Sequence, residues 1–248
     1  REDLILGKRV LFSGTGCQIN GLKNFLGREY DNLFCVDVVC HGVPSPKLWR
    51  EYVKFQESKH GKLEQINFRA KEEGWKKFGM KENHLYIPKG KDPFMNMFLD
   101  DFCLRPSCYQ CRAKKYRLSD ISIADFWGIE RVAPEMNDGM GTSLIIVRSE
   151  KGQDLFDSVK KKMKWKEVDY NDVIKENPAE YRSAHRTPQR DSFFSDLQSR
   201  SFNYMIRKYA PDTKKIRIRN LWRKVKRIVK NVGGGNSNYG LLFIFLEK

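Results

Sequence analysis

The placement of six cysteines constrains this chain more than any other feature. Cys17, Cys35 and Cys40 stand near the start, and Cys103, Cys108 and Cys111 follow after a long gap. Six thiols spread so unevenly over 248 residues do not make a disulfide scaffold. In a reducing compartment, closely spaced thiols serve more often as metal ligands or redox groups. The run Cys108-Tyr109-Gln110-Cys111 sets two sulfurs on one side of a turn. Arg105, Arg112, Lys114 and Lys115 surround it with positive charge, which favours thiolates over thiols. Taken alone, the C-x-x-C spacing suits an iron–sulfur cluster, a zinc site or a thiol–disulfide couple.

The pattern around the earlier cysteines predicts where further sulfurs sit. Residues 8–13 form a short apolar strand stopped by Gly14-Thr15-Gly16. A helix with Ile19, Leu22, Phe25 and Leu26 at helical spacing follows. Residues 32–40 are β-branched and apolar, a buried strand broken by His41-Gly42-Val43-Pro44. Ser45-Pro46 then starts a helix over 47–58 that buries Leu48, Tyr52 and Phe55. Strand, helix, strand, helix marks a parallel α/β unit. If the two strands are neighbours, Cys17 and Cys40 share the carboxyl edge of the sheet, where α/β folds hold ligands. Cys35 falls inside its strand as a small packed hydrophobe, and Cys103 in an apolar helix end.

Short strands over 65–69, 78–81 and 84–87 read as an antiparallel insertion, and 94–102 as a buried helix. Residues 121–127 and 142–147 return to buried-strand character, and 151–164 to a surface helix. The fold class expected is α/β with α+β elements: a mixed sheet with flanking helices, an antiparallel insertion and a basic helical tail. One domain is expected over 1–176, and a polar linker with a basic amphipathic helix over 177–248.

Net charge is +16, but it is not spread evenly. Residues 201–230 carry 11 Lys or Arg against one acid, so ten of the 16 net charges lie there. That distribution, with no zinc-finger spacing or aromatic RNA-binding strand, argues against a nucleic-acid binder and for a local contact. The tail helix is expected to pack on the domain or meet an acidic partner, with an anionic membrane surface as the alternative. No apolar run reaches the ~20 residues of a membrane span. The expected location is cytoplasmic, with peripheral membrane attachment through the tail as the variant. The start at Arg1, without Met, reads as that of a fragment whose upstream segment is missing.

Four motifs carry a resemblance: VLFSGTGCQINGLK (10–23), VCHGVPSPKLW (39–49), LRPSCYQC (104–111) and SDISIADFWGI (119–129). In this order they resemble the coenzyme F420 hydrogenase/dehydrogenase beta-subunit family, most nearly a bacterial branch found with polysaccharide-biosynthesis proteins. The resemblance implies an oxidoreductase with FAD and a 4Fe–4S cluster, and Cys17, Cys40, Cys108 and Cys111 as the cluster ligands. It also implies coenzyme F420 as a substrate, or another electron donor such as a ferredoxin-like domain. The family turn usually reads Gly-Thr-Pro-Cys, and Gly16 replaces the proline here. Flavin contacts are nominated at Gly14, Thr15, Gln18, His41, Asp125 and Trp127. Phe126, Gly128 and the 138–143 loop stand beside them with weaker claims. No acid–base catalyst stands out, and hydride transfer needs none. The rival reading is a zinc-stabilised, non-catalytic binding module in a glycan-assembly system.

Overall fold

The structure is a computed structural model and describes residues 1–211. The basic helix expected within 212–248 lies outside the described residues. The N-terminal unit, Arg1–Ala210, is mixed α/β. Its larger sheet has the order β1-β2-β6-β7, from β1 (Val10–Thr15), β2 (Leu33–Val38), β6 (Ile121–Asp125) and β7 (Ser143–Val147). The first three are parallel and β7 runs antiparallel to β6. A smaller antiparallel sheet, β3 (Ile66–Ala70), β4 (Gly79–Glu82) and β5 (Leu85–Pro88), is the expected insertion.

Six of the helices shape the core and the surroundings of the cysteines. They are α1 (Gly16–Leu26), α2 (Pro46–His60), α3 (Pro93–Leu99), α4 (Glu150–Val159), α5 (Arg190–Ser199) and α6 (Phe202–Tyr209). The α1 helix covers one side of β1 and β2, burying Ile19 and Leu26 against Leu33 and Cys35. The α2 helix buries Leu48, Tyr52 and Gln56, with Phe55 only half-buried against Phe202. Around Leu48 and Tyr52 gather Met80 of β4, Phe94 and Met97 of α3, Phe193 of α5 and Met205 of α6.

The weak pattern beyond Asn177 hides two helices. Phe193, Leu197, Met205 and Tyr209 are buried in the same core as α2, so 190–209 packs as part of the domain and not as a polar linker. Serines and acids on the outer side of α5 reduce its fully buried apolar positions to Phe193 and Leu197, one turn apart. Among the described residues no helix is long and apolar enough to cross a membrane.

Candidate functional site

Parallel pairing sets the geometry of the cysteines. Gly14 stands opposite Asp37 and Thr15 opposite Val38, so β1 and β2 end together. The chain turns into α1 after Thr15, and the Gln18 side chain closes that end by accepting the Thr15 N–H at 2.8 Å. Cys17 lies on the first turn of α1, with its sulfur 3.1 Å from Thr15 Oγ1. Cys40 follows the end of β2 two residues after Val38. The next residues pair with the chain that leads to the C-x-x-C run. Ser45 N–H donates to the Cys103 carbonyl at 2.8 Å and Arg105 N–H to the Val43 carbonyl at 2.9 Å. Gly42 permits this approach, because a Cβ there would sit 2.7 Å from Leu104 Cδ1. Cys108 and Cys111 flank the end of a 3₁₀ turn, Pro106–Gln110. Val43 N–H points at the Cys108 sulfur from 3.4 Å.

Cys17, Cys40, Cys108 and Cys111 line one cavity of about 30 Å³, together with His41 and Lys114. Three separate stretches of chain thus bring four sulfurs to one place. Cys35 and Cys103 are buried elsewhere, and burial pushes the Cys103 thiol up to about 12. Burial also raises the Cys40 thiol, with Lys114 acting against it and the Cys108 and Cys17 sulfurs adding to it. Among the described residues, no three His, Cys, Asp or Glu side chains converge closely enough to hold a metal ion. A tetrahedral zinc with sulfur bonds of about 2.3 Å would draw its ligands to roughly 4 Å of one another.

The model of one protein family, the C terminus of the beta subunit of coenzyme F420 hydrogenase/dehydrogenase, matches residues 7–173. This chain belongs to that family. Membership places it among oxidoreductase components. No curated protein matches the chain.

In this member of the family the nominated flavin contacts divide into two groups. Thr15 and His41 line the cysteine cavity. Gly14 and Gln18 stand beside it, and a Cβ on Gly14 would sit 2.9 Å from Gln18 Oε1. His41 Nε2 lies 2.9 Å from Asp101 Oδ1, close enough for an ion pair but without hydrogen-bond alignment, so both buried atoms lack a hydrogen-bond partner. Asp125 and Trp127 lie apart from the cavity. Asp125 pairs with Arg69, and Trp127 packs on Trp75 at 4.8 Å between centroids. An uncovered strip joins the two groups. Val38, which lines the cavity, stands opposite Ile123, and Asp125 follows on the same side of β6. Val38 is 50% exposed and Ile123 37%.

The charges under the cavity escape a reading of the cysteine neighbourhood alone. Of the four cations near the C-x-x-C run, Lys114 alone lines the cavity. Its ammonium donates to the Cys40 carbonyl at 2.6 Å and to the Ala179 carbonyl. Burial lowers its proton affinity, as does Arg117 beside it. The Arg117 side chain, 7% exposed, pairs with Glu180 at 2.7 Å and approaches Asp37 to 3.5 Å. Asp37 is fully buried, accepts from Ser122 and leaves Oδ2 without a hydrogen bond. Burial raises its carboxyl, against Ser122 and Arg117. Arg148 also pairs with Glu180. One signal for Asp37 is readable in the sequence: it shares the inward parity of Leu33 and Cys35 in β2.

The segment after the matched family region closes over these groups. Ala179 receives Lys114, Glu180 receives two guanidiniums, and the Ser183 hydroxyl accepts the Cys111 N–H at 2.9 Å.

Proposed function

We propose that this chain is an iron–sulfur flavoprotein module, with a 4Fe–4S cluster held by Cys17, Cys40, Cys108 and Cys111. The observation that carries the reading is the convergence of four soft sulfur donors, from three stretches of chain, on one cavity. Four thiolates at one site can hold a 4Fe–4S cube or a tetrahedral zinc, and membership in a family of redox components favours the cube. Lys114 and Arg117 bring positive charge to an assembly whose thiolates are anionic. Val43 N–H is aimed at one of the sulfurs, and such bonds tune cluster potentials.

For the flavin, the supporting feature is the uncovered apolar strip of Val38 and Ile123 between the cavity and the Asp125–Arg69 pair. A planar ring laid there would bury both side chains and leave polar groups at either end. When bound, a flavin exchanges paired electrons with a hydride donor and single electrons with a cluster. This chain's own residues do the rest. Thr15 and His41 border the opening, Lys114 fixes the Cys40 loop, and the 179–183 segment covers the C-x-x-C turn. The electron source is proposed to be coenzyme F420 or a ferredoxin-like carrier. The setting is proposed to be polysaccharide biosynthesis, on the likeness of the four motifs to a branch found with such proteins.

Anaerobic reconstitution with iron, sulfide and FAD tests the reading. The expected product carries four irons and four labile sulfides per chain (~4 each), bleaches on reduction, and retains FAD through gel filtration. Cys40→Ala and Cys108→Ala should lose the cluster absorbance. Stoichiometric zinc with neither flavin nor labile sulfide would replace the proposal with the structural-zinc reading.

A further inference from the structure

Of the two edge strands of the larger sheet, β1 and β7, the second offers a surface remote in kind from the cysteine cavity. Among the described residues, β7 has a neighbour, β6, on one side only. At its two ends, Phe126 N–H donates to the Thr142 carbonyl at 3.0 Å, and Arg148 N–H to the Asp120 carbonyl at 2.9 Å. Alternation along an antiparallel pair then turns the N–H and C=O groups of Ser143, Ile145 and Val147 away from β6. Among the described residues, no loop, cap or side-chain hydrogen bond reaches those outward groups. An edge of this kind, apolar and unprotected by proline, bulge or inward charge, is a template for another strand.

Beside the edge runs a groove of about 560 Å³. Residues 144–147 of β7 line it, with Phe156 of α4 and with Trp165, Glu167 and Val168 of the segment after α4. Trp165 is exposed and meets Phe156 edge-on at 5.5 Å. Lys160 and Glu167 line the groove, Lys164 and Lys166 line the adjoining pocket beside Ser143 and Ile145, and Lys161 and Lys162 are exposed in the same stretch of chain. Asp157 pairs with Lys160 and Glu135 with Lys166. Among the described residues, Lys161, Lys162 and Lys164 have no carboxylate partner.

We propose that β7 takes up an extended segment of an acidic protein partner as an added strand. The three features converge on that occupant. Unpaired ladder groups need a backbone to bond to, which a lipid surface does not supply. The groove beside them accepts every second side chain if those are apolar. The unpaired lysines meet carboxylates on the alternate positions. An electron-carrier protein with an acidic surface is a partner of this chemistry.

The test uses the full chain and a fluorescein-labelled ten-residue peptide (~10 positions, strand length by design) of alternating valine and glutamate. Amide hydrogen exchange localises the contact, so binding by the basic 201–230 segment is told apart from binding at β7. Saturating peptide should slow exchange across 143–147 at least ~10-fold. In the triple variant Lys161→Glu, Lys162→Glu, Lys164→Glu, the peptide concentration giving half-protection should rise at least ~10-fold, with circular dichroism unchanged. A valine–lysine peptide should not protect. Unaltered exchange at 143–147, equal protection by the lysine peptide, or protection by phosphatidylserine vesicles in place of the acidic peptide would each overturn the proposal.

Discussion

The Lys114 ammonium donates to the backbone carbonyl of Cys40 at 2.6 Å, and the same group reaches the Ala179 carbonyl. A single half-buried cation therefore staples the loop after β2 to a segment 65 residues further along than Lys114 itself. Hydrogen bonds from charged groups contribute about 1.5–3 kcal/mol each when buried. We expect Lys114→Met to lower stability by roughly 2–4 kcal/mol, read from urea denaturation midpoints. Iron release to a chelator should also quicken in the reconstituted protein. A variant indistinguishable from the parent in both would mean that the two carbonyls find other partners.

Glu180 receives Arg117 and Arg148 while only 4% exposed. Removing its charge leaves two guanidiniums facing each other with no carboxylate between them. Breaking a buried pair from one side costs about 3–5 kcal/mol. Glu180→Gln should therefore be strongly destabilised in thermal and urea unfolding. The double variant Glu180→Gln, Arg148→Met should recover part of the loss, and an additive further loss would contradict the coupling.

The pH response of the core should come from Asp92. Tyr52, Glu82 and Asp92 are all buried, and the Tyr52 hydroxyl is within bonding distance of Glu82 and, at 2.6 Å, of Asp92. Gln56 adds a bond to Glu82 at 2.8 Å and one to the Tyr52 oxygen at 3.2 Å. No salt bridge reaches either carboxyl among the described residues. One phenol proton cannot serve two carboxylates, so one acid must keep its own proton to complete the set. Burial is the main cause that lifts Asp92 to about 6, and the Tyr52 and Met95 bonds oppose it. The sign follows from proton binding. Between the ordinary carboxylate range and pH 6 the folded state holds a proton that the unfolded chain has released, so stability falls as pH rises through that window. A carboxyl lifted from the ordinary range to about 6 corresponds to roughly 2–3 kcal/mol. Asn at this position keeps the oxygen that accepts Met95 N–H at the start of α3. The urea midpoint of Asp92→Asn, compared at pH 4.5 and 7 (about the two ends of the window), should drop less than that of the parent.

Gly16 is buried at the first position of α1, where a Cβ would lie 2.8 Å from Asp37 Oδ2 and 3.2 Å from Ala113 Cβ. Both neighbours are buried and cannot retreat easily. Gly16→Ala should cost about 1–3 kcal/mol in thermal stability. It should also displace Cys17, seen as faster alkylation of that thiol in the cluster-free protein. Unchanged melting would show that the helix start can shift to make room.

Period and punctuation carry much of the fold. The first two strands and the Ser45-Pro46 helix start are local signals, although β1 continues through Gly14 to Thr15, where the glycines predict a turn, and passes straight into α1 at Gly16; parallel pairing of the strands then puts Cys17 and Cys40 at one edge. The buried charges are a different case. Arg117, Arg148 and Glu180 find one another across 32 to 63 residues, and each looks like an ordinary surface residue in its own stretch. Asp37 is legible from its parity, because a carboxylate on the inward side of a buried strand demands a partner. The family resemblance groups Asp125 and Trp127 with the cavity residues, but β6 sets them beside Arg69 and Trp75, at the far end of the exposed strip.

The 179–183 segment has a consequence for how homologous regions are cut. Residues 7–173 contain every thiol of the cavity, yet the carbonyl that anchors Lys114 and the hydroxyl that caps the Cys111 amide both come later in the chain. A protein trimmed at the limit of detectable kinship would keep all four sulfurs and lose the clasp that keeps two of them in place.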